Sequence, residues 1–253
     1  MGALVFSLCV FKAEPPPCRW VKLFLFCNCY NWGAIIISRL KQKGEIKMTV
    51  CAIREVTPHL GKEALAESRL RRAAGVMARH GAFTRIFKVI AGANVGDYSL
   101  QSFYSSFSDG ATAFQKFGSD PEFQALFNER ATNPAGDLRG PNIYRMVYGG
   151  PTNPPRPLMV ARAYHMPRNN MGGVMELAPQ LDKLMQSMDV SIGIVVPVAA
   201  EDHEEMFVVY RFHSMDHWGE SVDKMVDNEE FQSLVAKANE LGTLKTTRIM
   251  SAV

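Results

Sequence analysis

The sequence predicts an α+β fold in which two copies of a βαββαβ unit lie in tandem and close on each other as one α/β barrel. Three observations carry this expectation. A constant offset of 108 residues relates two stretches of the chain. Both stretches show the same succession of strand and helix patterns. A stiff Pro-rich segment joins them.

The offset is set by Phe123-Gln124-Ala125-Leu126, which recurs as Phe231-Gln232-Ser233-Leu234. Held fixed, it also pairs Glu122 with Glu230, Lys116 with Lys224, Ser106 with Ser214, Met77 with Met185 and Arg54 with Arg162. A single offset kept over so long a stretch points to internal duplication. It says nothing about function.

Each copy opens with a β-rich run, Thr49 to Val56 and Leu158 to His165. A helix follows. Ala66, Leu70, Ala73 and Met77 share one face, with Arg69, Arg72 and Arg79 expected to point outward. The matching face in the second copy is Val174, Ala178, Leu181, Met185 and Met188, where Pro179 should kink the helix or mark its start. Strand pairs come next: Phe83 to Ile90 with Tyr98 to Phe107, then Ser191 to Val198 with Met206 to His213. A broken helix restarts at Ser119-Asp120-Pro121-Glu122 and at Asp227-Asn228-Glu229-Glu230, both read as capping boxes. Asn142 to Tyr148 and Lys245 to Ala252 close the two copies.

This order is the split-βαβ plan, residues 48–149 forming the first repeat and 157–253 the second. A four-stranded sheet with helices on one face leaves its other face apolar, and two such sheets can cover each other. Gly149 to Pro157 is the stiff linker that lets one chain do so.

Residues 1–47 read differently. They hold seven of the 28 Lys/Arg but only Glu14 and Glu45 of the 25 acids, leaving 21 bases against 23 acids in the rest. Four of the five cysteines, Cys9, Cys18, Cys27 and Cys29, also lie there, and only Cys51 lies beyond. The apolar run Val21 to Ile37 is interrupted by Lys22, Asn28 and Asn31, and is short against the roughly 20 residues of a membrane span. Residues 1–47 are therefore expected to be a leader outside the fold, with a membrane role only if that leader is native, and their removal is expected to leave the body folded. The body carries no basic stripe, which argues against a nucleic-acid partner. Its single thiol suits a reducing, cytoplasmic compartment.

The chain resembles the dimeric α/β-barrel (ferredoxin-like) superfamily, which includes antibiotic-biosynthesis monooxygenase domains, stress-responsive A/B-barrel proteins and NIPSNAP proteins. Val209-Tyr210-Arg211-Phe212-His213-Ser214 leading to Trp218, with the restart Asp227-Asn228-Glu229-Glu230-Phe231, is similar to that superfamily's third strand and second helix. Arg162-Ala163-Tyr164 followed by Met166-Pro167 resembles the opening strand of NIPSNAP domains. The resemblance implies a pocket between a sheet and its own helices. It implies cofactor-independent oxygenase, isomerase or cyclase chemistry on an apolar or aromatic substrate, or else a non-catalytic stress-associated scaffold. The Asn, Trp and His set of the haem-degrading members is not found.

Candidate site residues can be named from the second copy, which holds His165, His203, His213 and His217. His165, His213 and Tyr164 are candidates for acid–base roles. Arg162, Tyr210 and Arg248 are candidates for binding an anionic or aromatic ligand. His213 and His217 stand at a spacing zinc accepts on a helix, yet the strand pattern ends near His213, so a capping role at a helix entry is the expectation. The strand arginines Arg54, Arg85, Arg145, Arg162 and Arg248 are expected to face solvent or pair with acids such as Glu55. Only an inward-facing set would signal an anionic ligand. No phosphate loop, CxxC pair, nucleophile elbow or HExxH motif occurs. No cofactor or metal is expected, and the partner is expected to be a small molecule, with the protein a monomer or homodimer.

Overall fold

Side-chain alternation along eight strands decides the architecture. The structure is a computed structural model describing residues 49–253. The reading of residues 1–47 as a leader lies outside the described residues.

The first repeat comprises β1 (Val50–Pro58), α1 (Glu63–Arg79), β2 (Phe83–Gly92), β3 (Tyr98–Tyr104), α2 (Phe107–Gly118), α3 (Pro121–Thr132) and β4 (Gly136–Gly149). The second comprises β5 (Leu158–His165), α4 (Met171–Gln186), β6 (Ser191–Ala199), β7 (Glu205–Phe212), α5 (Met215–Val226), α6 (Glu229–Leu241) and β8 (Thr243–Ala252). The 108-residue offset maps the first residue of β1, β2 and of all three helices exactly onto its counterpart.

The strands form one closed barrel in the order β1-β3-β2-β8-β5-β7-β6-β4, all pairs antiparallel. The two sheets are joined by equivalent seams, β4 with β6 and β2 with β8. Closure removes every sheet edge, which is how such a sheet avoids edge-to-edge association. At the β4–β6 seam Gly149 has φ +62 and pairs with Gly193, and a Cβ there would stand 2.3 Å from the Ile192 carbonyl oxygen. Only glycine fits that approach.

Because neighbouring residues on a strand point to opposite faces, the core has three parts. Val50, Ala52, Val56, Leu100 and Tyr104 pack outward against Ala66, Leu70 and Met77 of α1 and Phe117 of α2. Leu158, Val160, Val208, Tyr210 and Phe212 do the same against Val174, Met185 and Leu234 in the second repeat. Cys51, Phe87, Phe103, Met159, Val195, Phe207 and Met250 turn inward and fill the lumen. Met77 and Met185, paired by the offset, are both fully buried. Truncating either to Ala would cost about 2–5 kcal/mol.

Several local expectations are corrected. The third strand ends at Tyr104 rather than Phe107, because Ser106 caps α2 by accepting from the Asp109 N–H. The closing strand begins at Gly136 rather than Asn142, since residues 136–138 continue the ladder opposite Val56 to Pro58. The helix restarts are capped one residue later than expected, by Asp120 and Asn228, whose side chains accept from Glu122 and Phe231 N–H groups. Ser119 instead donates to the last carbonyls of α2. Pro179 lies inside α4, which runs unbroken from Met171. Arg69, Arg72 and Arg79 do not simply point outward. Arg69 and Arg72 reach Glu129, and Arg72 and Arg79 reach Glu122, so they tie α1 to α3 across a face that helical periodicity alone leaves open.

Among the described residues no helix is long and apolar enough to cross a membrane.

Candidate ligand site between sheet and helices

In each repeat a cavity lies in the same place, between the sheet and the helices laid over it. The first measures about 360 Å³ and the second about 70 Å³. The offset explains the difference side chain by side chain. Val56, Ala66 and Ala73 line the first cavity, where Tyr164, Val174 and Leu181 line the second. Larger residues fill the second site.

Backbone also contributes. Opposite Arg54, β4 carries one extra residue: Ile53 pairs with Asn142 and Glu55 with Arg139. Gly140 and Pro141 form this bulge and line the cavity. Gly140 has φ +88, and a Cβ there would stand 2.6 Å from the Ile53 carbonyl oxygen. Bulges of this kind kink a strand and interrupt its ladder. In the second repeat β8 also carries an extra residue against β5, but further on, between Ala163 and Tyr164, so Arg162 keeps a regular partner in Thr247.

The walls of the first cavity are apolar, built by Leu70, Met77, Leu100, Phe117 and Leu126. Four rings step across α2 and α3 in edge-on contacts: Phe114 to Phe117 at 5.2 Å, Phe117 to Phe123 at 5.0 Å and Phe123 to Phe127 at 5.1 Å. Phe114 and Phe127, the outer members, are about half exposed. Arg69 and Arg130 are the other charged residues on the lining, and Arg69 is committed to Glu129 and the Asn133 carbonyl.

Arg54 is the polar feature of this cavity. It is only 8% exposed, its Nη1 lies 3.9 Å from the Met77 sulfur, and its guanidinium stands 5.8 Å from the Phe117 ring centre. Among the described residues it has no carboxylate partner. Burial lowers its pKa, opposed by the neighbouring Tyr104. The expectation that strand arginines face solvent or pair with acids fails here, because β1 alternation places position 54 on the helix-facing side. It holds for Arg248, which pairs with Glu55, and for Arg145, which is exposed. Arg85 stacks 4.6 Å over Phe83.

The residues singled out in the second repeat do not converge on one point. Arg162, Tyr164 and Tyr210 line the smaller cavity, with the Arg162 guanidinium 5.3 Å over the Tyr210 ring and its Nε without a partner among the described residues. Burial pushes the Tyr210 hydroxyl up to about 12. His165 lies 3.7 Å from Glu204 and is half exposed. His213 meets Asp189 at 2.7 Å beyond the end of β7. His217 accepts at Nδ1 from the His213 N–H and donates at Nε2 to the Met188 carbonyl. Its own N–H reaches the capping Ser214, a helix entry as expected. Neither His165 nor His213 lines either cavity. Arg248 belongs to the lumen. Among the described residues no group of three or more His, Cys, Asp or Glu is placed to hold a metal.

Four of the six histidines lie in the second repeat and none lines the first-repeat cavity, so the residue types that usually carry chemistry do not point to it. The usable signal was small residues, Ala66 and Ala73, standing where the duplicate carries Val174 and Leu181.

Barrel, seams and cavity position together define a dimeric α/β-barrel fold built from two fused ferredoxin-like units. No family model matches the sequence, and no curated protein matches it. Among solved structures it is similar to an anthrone oxidase-like protein, with TM-score 0.55 and 11% identity over 82% of this chain and 92% of that one. It is also similar to a provisionally named monooxygenase from Lactobacillus acidophilus NCFM, with TM-score 0.54 and 10% identity over 82% and 94% of the two chains. A provisionally named monooxygenase from Fusobacterium nucleatum gives TM-score 0.56 and 6% identity over 81% and 92%. At these identities the likeness concerns the fold.

Proposed function

We propose that this protein binds one small molecule in the first-repeat cavity, a ligand with an apolar or aromatic body and one anionic or enolisable oxygen turned toward Arg54. The observation that carries this reading is Arg54 itself: a buried guanidinium without a carboxylate partner among the described residues, at the wall of an apolar cavity. Burying such a charge unpaired is costly, and a ligand anion would offset that cost. A cavity of about 360 Å³ is within the ordinary range for small-molecule sites.

The reaction class that fits is cofactor-independent oxygenation, isomerisation or cyclisation, in which a positioned cation stabilises a developing enolate or phenolate. The names of the structurally similar monooxygenases and the anthrone oxidase-like protein support this direction. A non-catalytic binding or scaffold role is the second reading. Its support is specific: among the described residues the cavity lining contains no His, Asp, Glu or Cys to act as acid or base. The smaller cavity, with Arg162, Tyr164 and Tyr210, would take only a much smaller ligand in either case.

Native mass spectrometry of the purified full chain tests the proposal. A retained organic molecule lost in Arg54→Met supports it. Retention unaffected by Arg54→Met, or lost only on changing Arg162 or Tyr164, refutes it.

A further inference from the structure

Apart from the sheet–helix cavities, the barrel lumen holds a charge that nothing among the described residues answers. Its walls are apolar: Phe103, Met146, Met159, Val195, Phe207 and Met250. Into it projects Arg211 of β7, at the position where the offset places Phe103 in the first repeat. One half of the lumen thus carries a ring where the other carries a guanidinium.

The seat for that guanidinium is built. It lies flat against β6 at Gly193, where an added Cβ would come within 3.0 Å of both Nη1 and Nη2. Nη1 is buried with no hydrogen-bond partner among the described residues. Glu55 is held by Arg248 and lies 3.6 Å from Arg139, and no carboxylate among the described residues pairs with Arg211. The Cys51 thiol cannot serve as a counter-ion, because burial pushes it up to about 12. Burial brings Arg211 down only to about 10, which keeps it a cation near neutral pH.

A cavity of about 30 Å³ opens at this point, lined by Arg211 together with Ser99 and Gln101. That is about the room one water occupies. A water would satisfy the N–H and leave the charge unanswered, whereas a small anion would satisfy both. Polyatomic anions such as phosphate are too large. We propose that the lumen holds a monatomic halide, chloride in ordinary salt solutions, bound by Arg211 with Gln101 and Ser99 as neutral donors.

The test compares thermal unfolding of the full chain in sodium chloride, sodium bromide and sodium gluconate at equal ionic strength. The expected result is a Tm that rises by about 3–5 °C for each tenfold increase in halide above its Kd, with no such rise in gluconate. Arg211→Met is expected to remove the halide dependence. Should that variant fail to fold, bromide-soaked crystals of the unaltered protein decide the matter by anomalous diffraction. A bromide peak beside Arg211 Nη1 is expected. Equal Tm in chloride and gluconate, or a water at that point in bromide, overturns the proposal.

Discussion

Arg54 and Arg162, 108 residues apart, occupy equivalent positions on β1 and β5, and each places its guanidinium over an aromatic ring under the helices of its own repeat. The rings are not equivalent. Arg54 stands over Phe117 of α2, and Arg162 over Tyr210 of β7, within its own sheet. One duplicated arginine has therefore been given an open apolar cavity and the other a smaller, tyrosine-lined niche.

Arg54→Met is expected to weaken binding of an anionic ligand by about 10- to 100-fold, the worth of a charge-assisted hydrogen bond. Stability should hold or rise, because the change removes a buried unpaired charge and keeps much of the volume. Isothermal titration and a melting curve on the same preparation check both halves. A variant that loses stability and keeps affinity contradicts the assignment.

Ala66→Val combined with Ala73→Leu copies the second repeat's side chains into the first. Ligand retention should disappear, while Tm stays level or rises, as cavity filling commonly adds about 0.5–2 kcal/mol. A crystal structure or a binding assay would show an unfilled site directly.

His165→Ala and His213→Ala are expected to leave ligand binding in the first repeat unchanged, since neither residue lines that cavity. Loss of binding in either variant would return the site to the second repeat.

Glu205 gives a pH-dependent outcome. Burial, with Asp202 close by, raises its pKa in the folded chain. Folding then favours the protonated carboxyl. Its contribution is fully present below the unfolded value of about 4.3 and is lost as pH rises through the folded value. Glu205→Gln should raise Tm near neutral pH and leave it unchanged near pH 4. A pH series of melting curves would reveal the opposite sign if Arg248, which lowers this pKa, prevailed.

Unfolding of the body is expected to be a single transition whose midpoint does not vary with protein concentration, because both seams close within one chain. The first repeat alone, cut near Gly150, would expose β2 and β4 as edges together with the inward faces of Cys51, Phe87 and Phe103. It should aggregate or pair with itself. Sedimentation velocity would identify a folded monomer, the result that excludes this account.

What could be read from the chain alone is whatever repeats locally. The offset pairing Phe123 with Phe231, alternation in Leu158 to His165, and the helical spacing of Ala66, Leu70, Ala73 and Met77 are short-range patterns, and they are enough to specify the units and their order. Facing and filling are different matters, because they depend on which element lies across from a residue. Arg54 and Arg248 look alike on their strands, yet alternation sends one toward the helices and the other into the lumen beside Glu55. Arg69 and Arg72 seem solvent-facing until α3 is laid against α1. The Gly140–Pro141 bulge lines the first cavity because it sits opposite Arg54, whereas the irregularity of the second repeat falls beyond Arg162. Tertiary packing alone made these choices, since the free volume at any point is set jointly by strands and helices far apart in sequence.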